Sequence, residues 1–513
     1  MWQNQTHDDY AQTEDLPNYL YSVSQRLPPA NSSYSNLATI NGGFKEPMKY
    51  PTKQNDWDNK ENMYSSAESK ETSVEKKKVK DATTSSASTS TISKSSIRTF
   101  EDYRSVHACV YFHNHTAVMM EMEDKDTTVE HICDTLINSD ELGINKQLFS
   151  QIFTLWMISP LLELQLKPLH KPYEIRQRWT HLLEQYSHAS YHKQQRDEPR
   201  LIFQRNVFFS QQLEEKIKDQ KILELLYEEA RHNILQGRYP CEEVHYIMLG
   251  GIQARIELGP YNPQEHTIHF FREKQAKYLP LHVRKSSTWS WLPISSKNSA
   301  EVKLLEQFKR IPNATTNRKL MKKYLEFCWS LPFYGCAYFE GQIEQPVTGL
   351  TSLMTHQDQP ILVAINAEGL YIMDDIKYVL LLGLKFEEFS WEYARPSREE
   401  NPNCLPCLFI QFNVVENGTT VSKILQIFSR QASLMDTLIT TFMKQTKSKK
   451  IDESDKSLDH VVGEIEPHSS YIMSTMYPST LPCLSNKLNR LTLATFDENG
   501  HCIGQMGSWS FSF

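Results

Sequence analysis

The sequence predicts an α+β protein of three successive lobes between polar tails. Apolar residues alternate in short runs at first, recur at helical spacing in the middle, and return to strand-like alternation before one last amphipathic helix. These patterns are typical, in that order, of a ubiquitin-like fold, an all-helical lobe, and a pleckstrin-homology or phosphotyrosine-binding β-sandwich. The predicted boundaries are a disordered tail at 1–100, lobes at 103–206, 207–331 and 332–446, and a disordered tail at 447–513.

Length, charge and cysteine usage narrow the class of protein. The chain has 513 residues, enough for roughly three or four domains. A net charge of -7 with mixed signs gives no electrostatic footprint for nucleic-acid binding. Nine scattered cysteines fit a reducing cytosol better than a disulfide framework. No signal-peptide pattern is present, and the most apolar run, Tyr378–Leu384, is far shorter than the ~20 residues that cross a bilayer.

The two tails are predicted from composition. Residues 1–100 are rich in Asn, Ser, Thr, Tyr and Lys and show no sustained period, and residues 447–513 are again polar and serine-rich. The basic cluster Lys76–Lys80 has two interpretations. It is either part of a solvated tail or a segment for nuclear import or attraction to anionic lipid.

The first lobe is predicted from a strand, strand, helix, strand order. Val106–Phe112 and Thr116–Met122 form a hairpin, the helix Thr128–Asn138 follows, and Leu201–Arg205 supplies the last strand. This order is that of a ubiquitin-like fold, although another small α/β roll would give the same pattern.

The second lobe begins with a helical hairpin in Asp219–Tyr261. Asp219 is a suitable N-cap, and Gly237 and Pro240 end the first helix, because glycine tolerates a left-handed C-cap and proline cannot continue the hydrogen bonding. Further helices are predicted at Phe270–Leu279, around Val302–Lys309, and around Leu320–Cys328.

The third lobe is predicted to contain seven strands and one helix. The strands are Phe333–Phe339, Ile361–Ile365, Leu370–Met373, Tyr378–Leu384, Phe386–Trp391, Leu408–Val414 and Ser422–Phe428. Asn366–Gly369 is a hairpin turn in which Gly369 is expected to supply a positive φ. The closing helix is Gln431–Lys444, with an apolar stripe that runs from Ala432 to Phe442.

The hairpin of the second lobe carries a specific motif. Its residues are Ala230, Gly237, Arg238, Pro240, Cys241, Glu257, Gly259 and Tyr261. In type and order they resemble the central lobe of FERM domains, whose usual Gln-x-Glu-x-Gly appears here, with a small departure, as Ala254-Arg-Ile-Glu-Leu-Gly259. The start of the third lobe, Phe333–Phe339, is similar to the tyrosine-glycine start of the last FERM lobe. The resemblance implies a ubiquitin-like lobe, a helical lobe like acyl-CoA-binding protein, and a PH/PTB-like lobe, and it covers about residues 103–446.

Longer strings are similar to the iRhom-binding FERM adaptors. They are Leu155–Pro168, Gln204–Phe209, Leu225–Ala230, Leu331–Ala337 and Leu382–Phe386. The resemblance implies a non-enzymatic, monomeric adaptor in the cytoplasm and at the cytoplasmic face of the plasma membrane. It would bind the cytosolic tails of iRhoms, protect the iRhom and its sheddase client from lysosomal degradation, and support shedding of cytokines and growth factors. It also implies damping of Wnt signalling through competition with axin at the co-receptor tail.

A partner site is predicted in the third lobe, between an edge strand and the last helix. A peptide can add there as an extra strand, because backbone hydrogen bonds give affinity and side-chain pockets give choice. The candidate residues are Phe389, Ser390, Trp391, Leu434 and Leu438. The alternative interpretation is that these residues belong to the core or pack the helix.

The sequence lacks the common catalytic and cofactor-binding motifs. The sequence has no phosphate-binding loop, nucleophile elbow, kinase set or His-Glu-x-x-His motif, and we expect neither an enzyme nor a cofactor. Cys404 and Cys407 form a Cys-x-x-Cys motif, but Pro402 and Pro406 place it in a loop without a second cysteine pair, which favours coincidence over a metal or redox site. A membrane–cytoskeleton linker of the ezrin type is the alternative function, disfavoured by the short polar stretch after the third lobe.

Overall fold

The protein is described here from a computed structural model. The structure describes residues 106–122, 125–138, 146–288, 299–345, 358–396, 401, 404–456 and 486–504. All of these residues belong to one compact unit. The predicted N-terminal tail and the Lys76–Lys80 cluster lie outside these residues. The lobe boundaries drawn from the sequence remain predictions.

The first lobe is a five-stranded sheet with helices against it. Its elements are β1 Val106–Tyr111, β2 Ala117–Met122, α1 Val129–Asn138, α2 Lys146–Ile152, β3 Phe153–Ile158, β4 Glu163–Gln165, α3 Pro172–Gln177, α4 Trp179–Tyr186, α5 Tyr191–Gln194 and β5 Arg200–Arg205. The strand order is β2-β1-β5-β3-β4, with β1 and β5 parallel and the other pairs antiparallel. α1 buries Val129, Ile132 and Leu136, which recur at helical spacing on one face, and it confirms the helix predicted at Thr128–Asn138.

The second lobe is helical. Its elements are α6 Gln211–Glu214, α7 Gln220–Leu235, α8 Glu243–Leu258, α9 Ile268–Glu273, α10 Gln275–Tyr278, α11 Leu281–Thr288, α12 Ala300–Arg310 and α13 Asn317–Trp329. Asp219 caps α7 as predicted, because its Oδ1 accepts hydrogen bonds from the backbone N–H groups of Lys221 at 2.9 Å and Ile222 at 3.0 Å. The single helix predicted over Phe270–Leu279 is wrong: α9 ends at Glu273, and α10 begins at Gln275.

The third lobe is a β-sandwich closed by a helix. Its elements are β6 Ala337–Glu344, β7 Asp358–Ile365, β8 Gly369–Asp374, β9 Val379–Lys385, β10 Phe389–Ala394, β11 Cys407–Glu416, β12 Thr419–Phe428 and α14 Ala432–Lys456. The strands follow the order β10-β11-β12-β6-β7-β8-β9. Gly369 does not have the predicted positive φ. Its lack of a side chain serves a close approach instead, because a Cβ there would lie 2.1 Å from the carbonyl oxygen of Leu384.

A C-terminal segment completes the third lobe. Within the predicted polar tail, the structure has a short 3₁₀ helix at Leu488–Arg490, β13 at Ala494–Phe496 and β14 at Cys502–Gly504. β13 pairs antiparallel with β12, so the sheet has nine strands within the described residues. Leu491 and Leu493 are buried in the same core as the strands of the lobe, and Ala494 is also buried. The sequence prediction missed this segment because its few apolar residues are too short a run to show a period.

Candidate functional site

The predicted partner site lies at β10, an edge strand of the third-lobe sheet. Phe389–Ala394 pairs antiparallel with β11 in the register Phe389↔Phe412 to Ala394↔Cys407. Within the described residues no strand pairs with the other side of β10. That side therefore presents backbone groups to which an extended peptide could hydrogen-bond.

One face of β10 packs against α14. Phe389 is buried, and its ring lies 5.9 Å from that of Phe386 and 6.2 Å from that of Trp391, measured between centroids. The indole Nε1 of Trp391 donates a hydrogen bond to Asp436 Oδ1 at 2.9 Å. Trp391, Leu434 and Leu438 are half-buried and contact the core of the lobe. These side chains all pack against the core of the lobe, and the hydrogen bond from Trp391 to Asp436 joins the edge strand to the helix.

Four of the five predicted residues, Phe389, Trp391, Leu434 and Leu438, contact the core of the third lobe. Side chains alternate along a strand, so Ser390 lies on the opposite face of β10 from Phe389 and Trp391. Tyr393, which the sequence reasoning missed, shares the face of Trp391 and contacts the same core. The period of two along the strand could have identified Tyr393. No local pattern points to Asp436, because its partner Trp391 lies on a distant element.

A buried ion pair lies at the junction of the three lobes. Arg205, at the end of β5, is 5% exposed, and Glu214, in α6, is 0% exposed. The Nε of Arg205 donates to Glu214 Oε2 at 2.6 Å. The other carboxylate oxygen accepts from Trp329 Nε1 at 2.8 Å and from the Tyr334 hydroxyl. Charge-assisted hydrogen bonds of this kind are strong and directional, so they fix how the lobes meet.

Gly335 sits against this pair. Its φ is +65°, and a Cβ there would lie 2.5 Å from Nη1 of Arg205. The tyrosine-glycine start of the third lobe therefore has a spatial reason: the guanidinium group occupies the space in which a side chain would stand.

A cavity of about 20 Å³ lies beside the ion pair and is lined by residues of all three lobes. This volume has room for about one water molecule. Glu229 lines the cavity, and its Oε2 accepts a hydrogen bond from the backbone N–H of Arg205 at 2.7 Å. Burial raises the pKa of Glu229 to about 7. The junction is too small for an organic ligand, and its polar groups serve the contact between the lobes.

The Cys-x-x-Cys motif does not have the electrostatics of a reactive site. Cys407 is buried at the start of β11, and burial raises the pKa of its thiol to about 11. A reactive or metal-binding cysteine needs a depressed pKa. Among the described residues, no group of three or more His, Cys, Asp or Glu side chains is arranged to hold a metal ion. In the same residues, no helix combines the length and hydropathy of a membrane span.

Two protein-family models match the chain. The model described as "FERM central domain" matches residues 212–339. The model described as "KRIT1/FRMD8, FERM domain C-lobe" matches residues 359–438. The two matches fall on the helical lobe and on the β-sandwich, so they bear out the FERM-like fold that the sequence predicts.

Curated relatives match the same region. FERM domain-containing protein 8 of Mus musculus is 36% identical over 348 residues, which are 66% of this chain and 73% of the mouse protein. The Homo sapiens protein of that name is 35% identical over 66% of this chain and 73% of its own length, and the Danio rerio protein is 38% identical over 56% and 63%. Among solved structures, the human Myosin 7b C-terminal MyTH4-FERM domain in complex with harmonin-a PDZ3 domain is 17% identical. The superposition covers 67% of this chain and 60% of the myosin chain at a TM-score of 0.45, and this likeness is too weak for an argument about function.

Proposed function

Because the chain belongs to the FERM domain-containing protein 8 family, we propose that it is an adaptor, without enzymatic activity, for an iRhom-type membrane protein. It works as a monomer in the cytoplasm and at the cytoplasmic face of the plasma membrane, where it captures the cytosolic tail of the iRhom. Capture keeps the iRhom and its sheddase client at the cell surface, protects them from lysosomal degradation, and supports shedding of cytokines and growth factors. By the same mechanism the protein occupies the cytosolic tail of the Wnt co-receptor and lowers Wnt signalling.

The edge strand β10 carries this proposal. It combines backbone groups that no described strand pairs with and, in our proposal, an apolar surface from half-buried Trp391 of the strand and half-buried Leu434 and Leu438 of α14. A disordered tail that adds as a strand gains main-chain hydrogen bonds along the edge and places its apolar side chains on this surface. Ordering the tail costs conformational entropy, so the complex is of moderate affinity and reversible. That is the behaviour expected of an adaptor that releases its client.

The test is a binding experiment with the full chain and the cytosolic N-terminal region of the iRhom from the same organism. The full chain is used because residues 486–504 contribute to the core of the third lobe. The variant Trp391→Ala, Leu438→Ala removes two apolar contacts of the predicted surface. Val415→Ala is the matched control, because Val415 lies in the same lobe and is 73% exposed. Circular dichroism checks that all three proteins are folded.

We expect the double variant to bind at least about tenfold more weakly than the control, as truncation of central apolar contacts does in peptide interfaces. Equal binding by variant and control would move the partner site to another lobe and leave the adaptor function in place. No binding by the wild-type chain would contradict the iRhom assignment, and actin co-sedimentation would then test the linker alternative.

A further inference from the structure

Residues 486–504 lie against two strand edges that the third lobe leaves open. The first is the outer edge of β9, the last strand of the sheet path. A β-bulge there leaves Leu381 without a partner in β8, because Ile372 pairs with Leu382 and Met373 pairs with Leu380. The carbonyl oxygen of Leu381 accepts a hydrogen bond from the backbone N–H of Lys487 at 2.7 Å. The segment thus satisfies the backbone group that the bulge displaces.

Two further hydrogen bonds join the segment to the same edge. The backbone N–H of Gly383 donates to Asn486 Oδ1 at 2.9 Å, and Lys487 Nζ donates to the carbonyl oxygen of Leu380 at 3.1 Å. The edge of β9 is therefore covered by side chains and backbone of two adjacent residues.

The second open edge belongs to the first half of β12. β6 reaches β12 at Phe428↔Gln342, which leaves the earlier residues of that edge to β13. β13 pairs with it in the register Ser422↔Phe496, Lys423↔Thr495 and Ile424↔Ala494.

A buried charge also points to a built site for the segment. Asp374, at the end of β8, is 1% exposed on its side chain, and its Oδ2 accepts a hydrogen bond from Arg490 Nη2 at 2.5 Å. Its other oxygen accepts from the backbone N–H groups of Ile376 and Lys377. Buried carboxylates are stabilised by a cation, and Arg490 supplies it from the segment.

We propose that this region of the third lobe is a peptide-docking site whose occupant is the chain's own segment 486–504. The site recognises a peptide that forms one 3₁₀ turn followed by a strand, with an arginine at the end of the turn for the Asp374 carboxylate and leucines at the positions of Leu491 and Leu493. The chain between Lys456 and Asn486 separates the segment from the rest of the lobe in sequence, so the segment docks as a tethered ligand. Its fit is imperfect, because the hydroxyl of Thr492 is buried and has no hydrogen-bond partner among the described residues. An unsatisfied buried hydroxyl weakens docking and favours exchange of the segment.

The experiment uses the full chain with Arg490→Ala and Leu493→Ala, and Arg490→Ala alone as the milder variant. Ile503→Ala is the matched control, since Ile503 lies in the same segment and is 58% exposed. Backbone hydrogen exchange is measured at Gly383 of β9, whose N–H donates to Asn486, in 422–424 of β12, and in the central strand β7. A synthetic peptide of residues 486–504 is then added in excess. A peptide with the same two substitutions serves as its control.

We expect exchange in β9 and β12 to be at least about tenfold faster in the double variant than in the Ile503→Ala control, with β7 unchanged. The wild-type peptide should restore protection, and the substituted peptide should not. Unchanged exchange in the double variant would overturn the proposal, since the segment would then not cover these edges. Faster exchange that includes β7, or that the wild-type peptide does not reverse, would also overturn it, because the segment would then be a fixed part of the core.

Discussion

Replacing Glu214 by Gln tests the buried ion pair that joins the lobes. The carboxylate of Glu214 accepts hydrogen bonds from Arg205 Nε at 2.6 Å, from Trp329 Nε1 at 2.8 Å and from the Tyr334 hydroxyl. Glutamine has nearly the same volume, but its amide nitrogen donates and cannot accept. At least one of the three donors then faces another donor, and the guanidinium of Arg205 loses its nearest counter-charge.

The expected cost follows from burial. Removing one partner of a buried ion pair costs about 3–5 kcal/mol, because the remaining charge stays desolvated. With a urea m value of about 3 kcal/mol per molar, the unfolding midpoint should fall by about 1–1.7 M. The control Glu198→Gln removes an exposed carboxylate, 81% exposed on its side chain and 3.5 Å from Arg176. A surface pair of this kind contributes about 0–1 kcal/mol, so its midpoint should hardly move.

The assay is urea unfolding of the full chain followed by tryptophan fluorescence. The double variant Arg205→Met, Glu214→Leu removes both charges and leaves an apolar contact, and it forms a mutant cycle with the single variants Arg205→Met and Glu214→Leu. It should be less destabilised than the sum of the two single variants by at least about 1 kcal/mol. A midpoint of Glu214→Gln equal to that of Glu198→Gln, or strict additivity in the cycle, would refute the reasoning.

Three further predictions use the same unfolding assay. Gly335→Ala should lower the free energy of unfolding by about 2–4 kcal/mol, because its Cβ would lie against Arg205. Gly418→Ala, at φ +85° with no atom within 4 Å of its Cβ, should lower it only by the backbone strain of about 1–2 kcal/mol. Equal losses in the two variants would contradict the close approach at Gly335. The pKa of Glu229 is raised from 4.5 to about 7, so this group adds stability below pH 4.5 that is lost as pH rises through 7. The free energy of unfolding of Glu229→Gln should therefore rise relative to that of wild type by up to about 3 kcal/mol between pH 5 and 8. A difference between the two proteins that does not change with pH would contradict this. Burial lowers the pKa of His282 to about 4 from 6.5, so wild type should lose up to about 3 kcal/mol as pH falls from 6.5 to 4. The ring of His282 stacks on Tyr378 at 4.4 Å between centroids, and His282→Phe keeps an aromatic ring there without a titrating group. This variant should not lose stability over that pH range. If the stability of wild type and variant changed equally with pH, His282 would not be the group responsible.

The sequence could predict elements whose cause is local. The N-cap at Asp219 and the apolar stripe of α14 depend on residues within a few positions of each other, so spacing reveals them. The order of the three lobes follows from these elements in the same way. Gly369 shows where local reasoning fails. The sequence predicts a glycine there for a positive φ, but the position excludes a side chain because the backbone of β9 passes too close.

Contacts between distant elements could not be predicted. Glu214 meets Tyr334 across more than a hundred residues, and no period in the chain marks that pair. The same holds for the bond between Trp391 and Asp436, which joins a strand to a helix. At the candidate site, the period of two along β10 is enough to replace Ser390 by Tyr393 in the prediction. The helix residue that binds Trp391, Asp436, could be identified only from the folded structure.

The late position of β13 in the chain has a consequence for synthesis. β12 leaves the ribosome before β13, and roughly 70 residues separate Ile424 from its partner Ala494. At about 5–20 residues per second, these residues take roughly 4–14 s to make. During that interval the first half of β12 and the bulged edge of β9 are unpaired, and an unpaired strand edge can join to another nascent chain. Neighbouring nascent chains on a polysome can therefore pair through these edges, and slower elongation after α14 would lengthen the interval in which they do so.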